Sequence, residues 1–374
     1  MRAVLAIVLC CACNQILGVG NPHLGGGGGD DGGGGIGDGQ SGDGGIYMDA
    51  PMSVSTPGPR HRAITIPAGK VSADLTTFPM WIDIVDPDLG MWAEGSGADI
   101  YFESGSGVVL PIEIEHWIPA QNRLTGWVST NVAAAGSTLQ LCYGDGMSHV
   151  TNAREVWPAY DFVFHFDNVA PGTPAQVIDS AQGVAAMLSN ASVAGDPDNA
   201  SQGVAFQSTG YATLPNVSAA PMNTLSFVLD HPSTYATSVE AVMGWGASRN
   251  TTDLGFGVEN ATTGEVLATS VTQVSETYTG LHVLTFVASQ LVTSTYTVYF
   301  DGVEAATGSL GSESLPSIEM GLGVAAGGLV STTGIVDEVR YAATAESAVQ
   351  IAADTATLQP GFYSVGAVQL GACN

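Results

Sequence analysis

Basic residues are scarce: 8 Lys+Arg, only one of them a Lys, stand against 35 Asp+Glu, for a formal net charge of -27. A surface this negative repels phosphate backbones and anionic headgroups, which excludes nucleic-acid binding and polybasic membrane docking. Long apolar runs are missing too. The N-terminal run Ala3–Ala12 is about ten residues, whereas a hydrocarbon core needs about 20, so it is no spanning anchor. Nucleophile motifs are absent: there is no G-x-S-x-G elbow, no H-E-x-x-H and no C-x-x-C with a matching His. His23, His61, His116, His149, His165, His231 and His282 are scattered, and a lone strand His is usually hydrogen-bonded or exposed rather than a ligand.

Glycine is abundant. Gly25–Gly45 is almost wholly Gly and Asp, with no apolar surface to offset backbone entropy, and reads as a spacer within residues 13–59. Asp30, Asp31, Asp38 and Asp43 lack the fixed period of a calcium-binding repeat. Met1-Arg2 followed by the apolar run has the shape of a secretory signal, expected over residues 1–12. "LCCACNQ" resembles the lipobox of bacterial lipoproteins, which implies acylation of Cys13, with Cys10 or Cys11 as alternatives. Asn14 after the Cys implies an exported, outer-membrane or cell-surface location, with the membrane as partner through the lipid. An ordinary cleaved signal is the other reading. Of 5 Cys, acylation at Cys13 leaves Cys142 and Cys373, either a disulfide in an oxidising compartment or two separate thiols.

From Arg60 the texture is short alternating runs broken by Gly, Pro and Asp, which predicts an all-β chain of two antiparallel sandwiches, residues 60–150 and 160–358, with a tail at 359–374. Met80, Ile82 and Ile84 share one strand face. Tyr296, Val298 and Phe300 share another, in a hairpin turned by Asp301-Gly302. A short C-terminal helix is expected with Thr344 as N-cap and Ala348, Ile351 and Ala352 against the sheet. "HRAITI", "FPMWIDI", "DIYF", "LPIEIE", "GWV" and "CYGD" together resemble a bacterial domain of unknown function that precedes laminin-G-like domains. "FVFHFD", "FQSTGYATLP", "FDGV" and "VDEVRY" resemble a concanavalin-A-like jelly roll of the laminin-G/pentraxin kind, although Leu281-His282-Val283 replaces that family's W-H-H-V.

Chemistry is thinly signalled. Glu113 and Glu115 lie at i and i+2 of a strand, about 7 Å apart on one face, a separation a glycosidase pair uses. The sandwich pattern reads them instead as a solvated face outside a core of Ile112 and Ile114. The jelly-roll resemblance implies a structural role for Asp337 and Glu338. Its pentraxin-type members imply calcium, with Asp167, Asn168, Asp179 and Asp337 as oxygen donors. Trp92, Trp117, Trp157, Tyr211 and Trp245 are candidate stacking platforms for sugar faces. The expectation is therefore a non-catalytic, lipid-anchored adhesion protein recognising a glycan or an envelope or matrix protein. A glycoside hydrolase and a purely structural envelope lipoprotein are the alternatives.

Overall fold

The computed structural model describes residues 58–149, 152–166, 175–195, 202–214, 222–231, 240–246, 254–260, 263–267, 272–289, 295–309, 319–323, 330–331 and 334–373. Seven strands open the described chain: β1 (Arg60–Ile66), β2 (Leu75–Val85), β3 (Tyr101–Ser104), β4 (Val109–Leu110), β5 (Ile112–Ile118), β6 (Arg123–Val132) and β7 (Ser137–Tyr143). One layer runs β4-β3-β7-β1 and the other β2-β6-β5, antiparallel throughout. Alternation on β2 builds the sandwich: Met80, Ile82 and Ile84 turn inward at 0, 1 and 3 % exposure, while Trp81, Asp83 and Val85 face away. They meet Ile64, Phe102, Val128, Leu139 and Leu141 in one core. Truncating any of these to Ala costs about 2–5 kcal/mol.

The second sandwich starts at β8 (Phe162–Phe164). Among the described residues its strands form one hydrogen-bonded set of 15, in which strand Ile335–Ala342 pairs with β8, Met222–His231 and Gln202–Thr213. Phe162, Phe164, Phe227, Phe286, Tyr296, Val298 and Val339 fill its core. Asp301 and Gly302 take φ of +48° and +78°, the left-handed pair that a two-residue hairpin turn requires. The chain is thus nearly all β with a short helix near its C-terminus.

Two expectations are corrected near that C-terminus. The helix α2 (Ala348–Thr357; α1 is Pro87–Trp92) is capped by Ser347, whose hydroxyl accepts from Gln350 N, not by Thr344. Thr344 lies upstream of that cap, and its carbonyl accepts from the Thr224 hydroxyl. Ile351 is buried as expected, but Ala348 and Ala352 are exposed, and the inward face is completed by Ala353, Asp354, Thr355 and Thr357. The physical reason is a second contact surface: α2 packs chiefly on β2 of the first sandwich.

Residues 359–374, expected as a tail, return to the first sandwich. Ser364–Val365 and Gln369–Leu370 pair with β1, Phe362 enters the first core, and Cys373 is disulfide-bonded to Cys142 on β7 with Cα atoms 6.1 Å apart. Ser55–Asn374 accordingly forms one compact unit. No helix among the described residues is long and apolar enough to cross a membrane.

Candidate functional site

The outer face of the β2-β6-β5 layer carries the distinctive chemistry. Antiparallel register sets Trp81 of β2 opposite Trp127 of β6, and Trp127 opposite Glu113 of β5, so all three project from one face. The Trp81 and Trp127 rings lie 4.9 Å apart. Trp127 packs with Val156, Trp157, Tyr160, Val163, Ala181 and Ala342, an apolar seam that joins β6 to the second sandwich.

Three backbone irregularities turn polar side chains into that seam. β5 bulges between Ile114 and His116, so that Glu115 is the extra residue. Strand Ile335–Ala342 bulges opposite Phe227, with Glu338 at φ +51°. Phe166, just after His165, sits at φ +58°. Bulges re-aim side chains in this way, and held left-handed non-glycine residues mark sites the surroundings over-determine.

His165 occupies the centre. Its Nδ1 lies 2.6 Å from Glu338 Oε1 and 2.9 Å from Glu115 Oε1, and its Nε2 lies 3.3 Å from Glu113 Oε2. The Trp157 indole and the Ser180 hydroxyl also donate to Glu113, and the Trp127 indole donates to Glu115. Arg340 reaches Glu338 Oε2 at 3.4 Å and lies over the Trp127 ring at 4.2 Å. Burial pushes the Glu113 carboxyl up, but the His165 charge and the hydrogen bonds from His165, Ser180 and Trp157 outweigh it and hold Glu113 down to about 2. Burial pushes His165 down, yet Glu338, Glu115 and Glu113 together hold it well above the usual imidazole range.

Trp81 carries this seam to the surface. It is half-buried and lines an open groove of about 650 Å³ with Asp83, Arg123, Gln359, Leu281 and Tyr363. Arg123 Nε and Nη2 donate to both Asp83 carboxylate oxygens at 2.9 Å each, a planar bidentate pair. The Tyr363 hydroxyl donates to Asp83 O at 2.9 Å and accepts from Asp83 N at 2.8 Å, which fixes the returning C-terminal segment against β2. The groove therefore offers two aromatic surfaces beside a rigid ion pair.

The residues expected from sequence are dispersed. Trp157 is 1 % exposed and belongs to the seam, so it is not a stacking platform. Trp92 is half-buried beneath the Arg60 guanidinium at 3.9 Å, and the half-buried Trp117 donates to Glu94 O at 2.9 Å. Tyr211 is half-buried in its strand. The Trp245 side chain, Asp167, Asn168 and Cys13 lie outside the described residues. Asp179 is no calcium ligand in this arrangement, because its carboxylate accepts from the amides of Ala181, Gln182 and Val184 and so caps a turn. Asp337 is buried and accepts from Glu338 N at 2.8 Å.

Glu113 and Glu115 are not a solvated face: their side chains are 14 % and 2 % exposed. His165, expected to be isolated, has three carboxylates around it. Sequence reading also passed over Trp81 and Tyr363. The signal for Trp81 was its place between inward Met80 and Ile82, which already set its ring on the outer face.

Neither a protein-family model nor a curated protein matches the chain. Among solved structures, it is similar to Trypanosoma rangeli sialidase in complex with sialic acid, at 14% identity and TM-score 0.45, covering 63% of this chain and 42% of that one. It is similar to domain 4 of AbnA, a GH43 extracellular arabinanase from Geobacillus stearothermophilus, in complex with arabinotriose, at 16% identity and TM-score 0.40, covering 53% and 98%. The botulinum neurotoxin type G receptor-binding domain follows at 8% identity and TM-score 0.35, covering 52% and 50%. The chain thus spans about two fifths of the sialidase chains it is similar to.

Proposed function

We propose that the chain is a non-catalytic glycan-binding protein, exported and held at a cell surface by an acyl chain on Cys13, with the Trp81 groove as its ligand site. The observation that carries this reading is the combination of Trp81 and Tyr363 with the bidentate Asp83–Arg123 pair in one groove. Sugar rings present apolar C–H faces that stack on aromatics at little entropic cost, and neighbouring hydroxyls that match a planar charged pair. A volume of about 650 Å³ falls within the ordinary range for small-ligand sites.

The reading extends to ligand charge. Arg123 and Asp83 are the charged residues lining the groove, and they neutralise one another. On a chain of net charge -27, acidic sugars are then repelled and neutral glycans favoured. The glycosidase reading is disfavoured by access: the Glu113 and Glu115 side chains are 14 % and 2 % exposed and their oxygens accept from Trp157, Ser180 and Trp127, which leaves a sugar no place between them. A glycan array probed with the full chain tests the proposal. Binding to neutral glycans that is weakened at least tenfold by Gln359→Ala or Arg123→Gln supports it, and cleavage of any bound glycan refutes the non-catalytic part.

A further inference from the structure

His165 presents an electrostatic problem. Nδ1 of an imidazole carries either one proton or one lone pair, yet two carboxylate oxygens stand 2.6 and 2.9 Å from it. The three side chains come from three separate places in the chain: Glu115 from the β5 bulge, His165 from the residue just after β8, and Glu338 from the bulge in strand Ile335–Ala342. All are buried, with side-chain exposures of 2, 7 and 7 %. Their donor atoms lie within 4.8 Å of one another.

Charge counting sharpens the problem. Glu113, Glu115 and Glu338 supply three negative charges, and Arg340 supplies one positive charge at 3.4 Å from Glu338. A protonated His165 leaves the group one charge short of neutrality. Uncompensated buried charge is strongly destabilising. A divalent cation beside a neutral imidazole brings the group to zero.

We propose that Glu115, His165 and Glu338 hold a divalent transition-metal ion, zinc by donor type, in a structural site that joins the two sandwiches. One imidazole nitrogen with carboxylate oxygens is a zinc-type donor set, and three protein donors are too few for calcium. A chelating second oxygen or a water completes four-coordination. Every donor residue already has an outer partner: the Trp127 indole on Glu115, Arg340 on Glu338, and Glu113 on the far nitrogen of His165. The last is the carboxylate–histidine support that orients metal-bound imidazoles. Zinc bonds of about 2.0–2.2 Å spread tetrahedral donors to roughly 3.3 Å, so the ion widens the present spacing by several tenths of an ångström.

The test uses the full chain, stripped with chelator and re-equilibrated with zinc alone or cobalt(II) alone. Expected are about one zinc per chain after desalting, four-coordinate cobalt(II) absorption bands, and a melting temperature lowered by chelator and restored by zinc. His165→Gln and Glu338→Gln, each checked for folding by circular dichroism, abolish the cobalt bands. A folded wild-type chain without stoichiometric metal overturns the proposal, as does His165→Gln retaining one zinc with unchanged cobalt bands. Should the variants not fold, the wild-type cobalt spectrum decides, since its bands require bound metal and their absence rules the site out. Glycan binding plays no part in these readouts, so the site stands or falls separately from the groove.

Discussion

Replacing Trp157 with Phe while also replacing Glu113 with Leu, which keeps side-chain volume but has no acceptor, isolates the hydrogen bond that ties β5 to the segment entering the second sandwich. Trp157 is 1 % exposed, and its indole N–H donates to Glu113, whose side chain is 14 % exposed. Trp157→Phe keeps a ring against Tyr160, 5.5 Å away, and against Arg340, but removes the donor. A hydrogen bond to a charged acceptor contributes about 1.5–3 kcal/mol, and the smaller ring adds a packing loss of about 1 kcal/mol. The single variant is therefore expected to lose about 2.5–4 kcal/mol. Because the packing loss persists when Glu113→Leu is already present and the acceptor is then gone, the double-mutant cycle should return a coupling of about 1.5–3 kcal/mol. Urea unfolding at neutral pH, followed by tryptophan fluorescence and far-ultraviolet circular dichroism, measures all four corners. A coupling below about 0.5 kcal/mol would refute the view that this bond carries the seam.

Other outcomes follow from the same geometry. Cys142→Ser removes a link spanning 231 residues of sequence and should cost roughly 5 kcal/mol by chain entropy, read as a lower urea midpoint; an unchanged midpoint contradicts the linkage. Gly302→Ala forces a Cβ at φ +78° to within 2.9 Å of Ala352 Cα, against backbone rather than a flexible side chain. A loss of about 1–3 kcal/mol in thermal or urea unfolding is expected, and a neutral substitution would deny the contact between the hairpin and α2. His282 is pushed down by burial but raised more by its hydrogen bond to Asp301 at 2.9 Å, by that carboxylate's charge and by the Thr279 carbonyl. Its folded value thus exceeds its unfolded one, so its contribution is complete below about 6.5 and disappears as pH rises through the folded value. Solvent screening holds that contribution under about 1 kcal/mol. The stability gap between wild type and His282→Gln should narrow from pH 5.5 to pH 9, and a gap widening with pH contradicts the assignment.

Strand faces were legible where burial is one-sided. The period of two placed Met80, Ile82 and Ile84 inside, and the Asp301-Gly302 pair announced its turn, because both signals are local. The site was not legible for the opposite reason. Glu113 and Glu115 alternate with Ile112 and Ile114 as a solvated strand does, and only the second sandwich, some fifty residues later, covers them. His165 looks isolated because its three carboxylates, Glu113, Glu115 and Glu338, are all distant in sequence, the last 173 residues away. The bulges that aim Glu115 and Glu338 leave no compositional mark, since neither contains glycine. The C-terminal return was hidden likewise: short strands such as Ser364–Val365 carry too few residues to show a period.

Binding of the full chain to a glycan array, with Trp81→Ala compared at matched unfolding midpoint, tests the groove most directly. Retention of neutral glycans by the wild type, loss of at least tenfold in the variant, and no preference for sialylated or uronic ligands is the outcome this account requires. Equal binding by both proteins, or selective binding of acidic sugars, contradicts it.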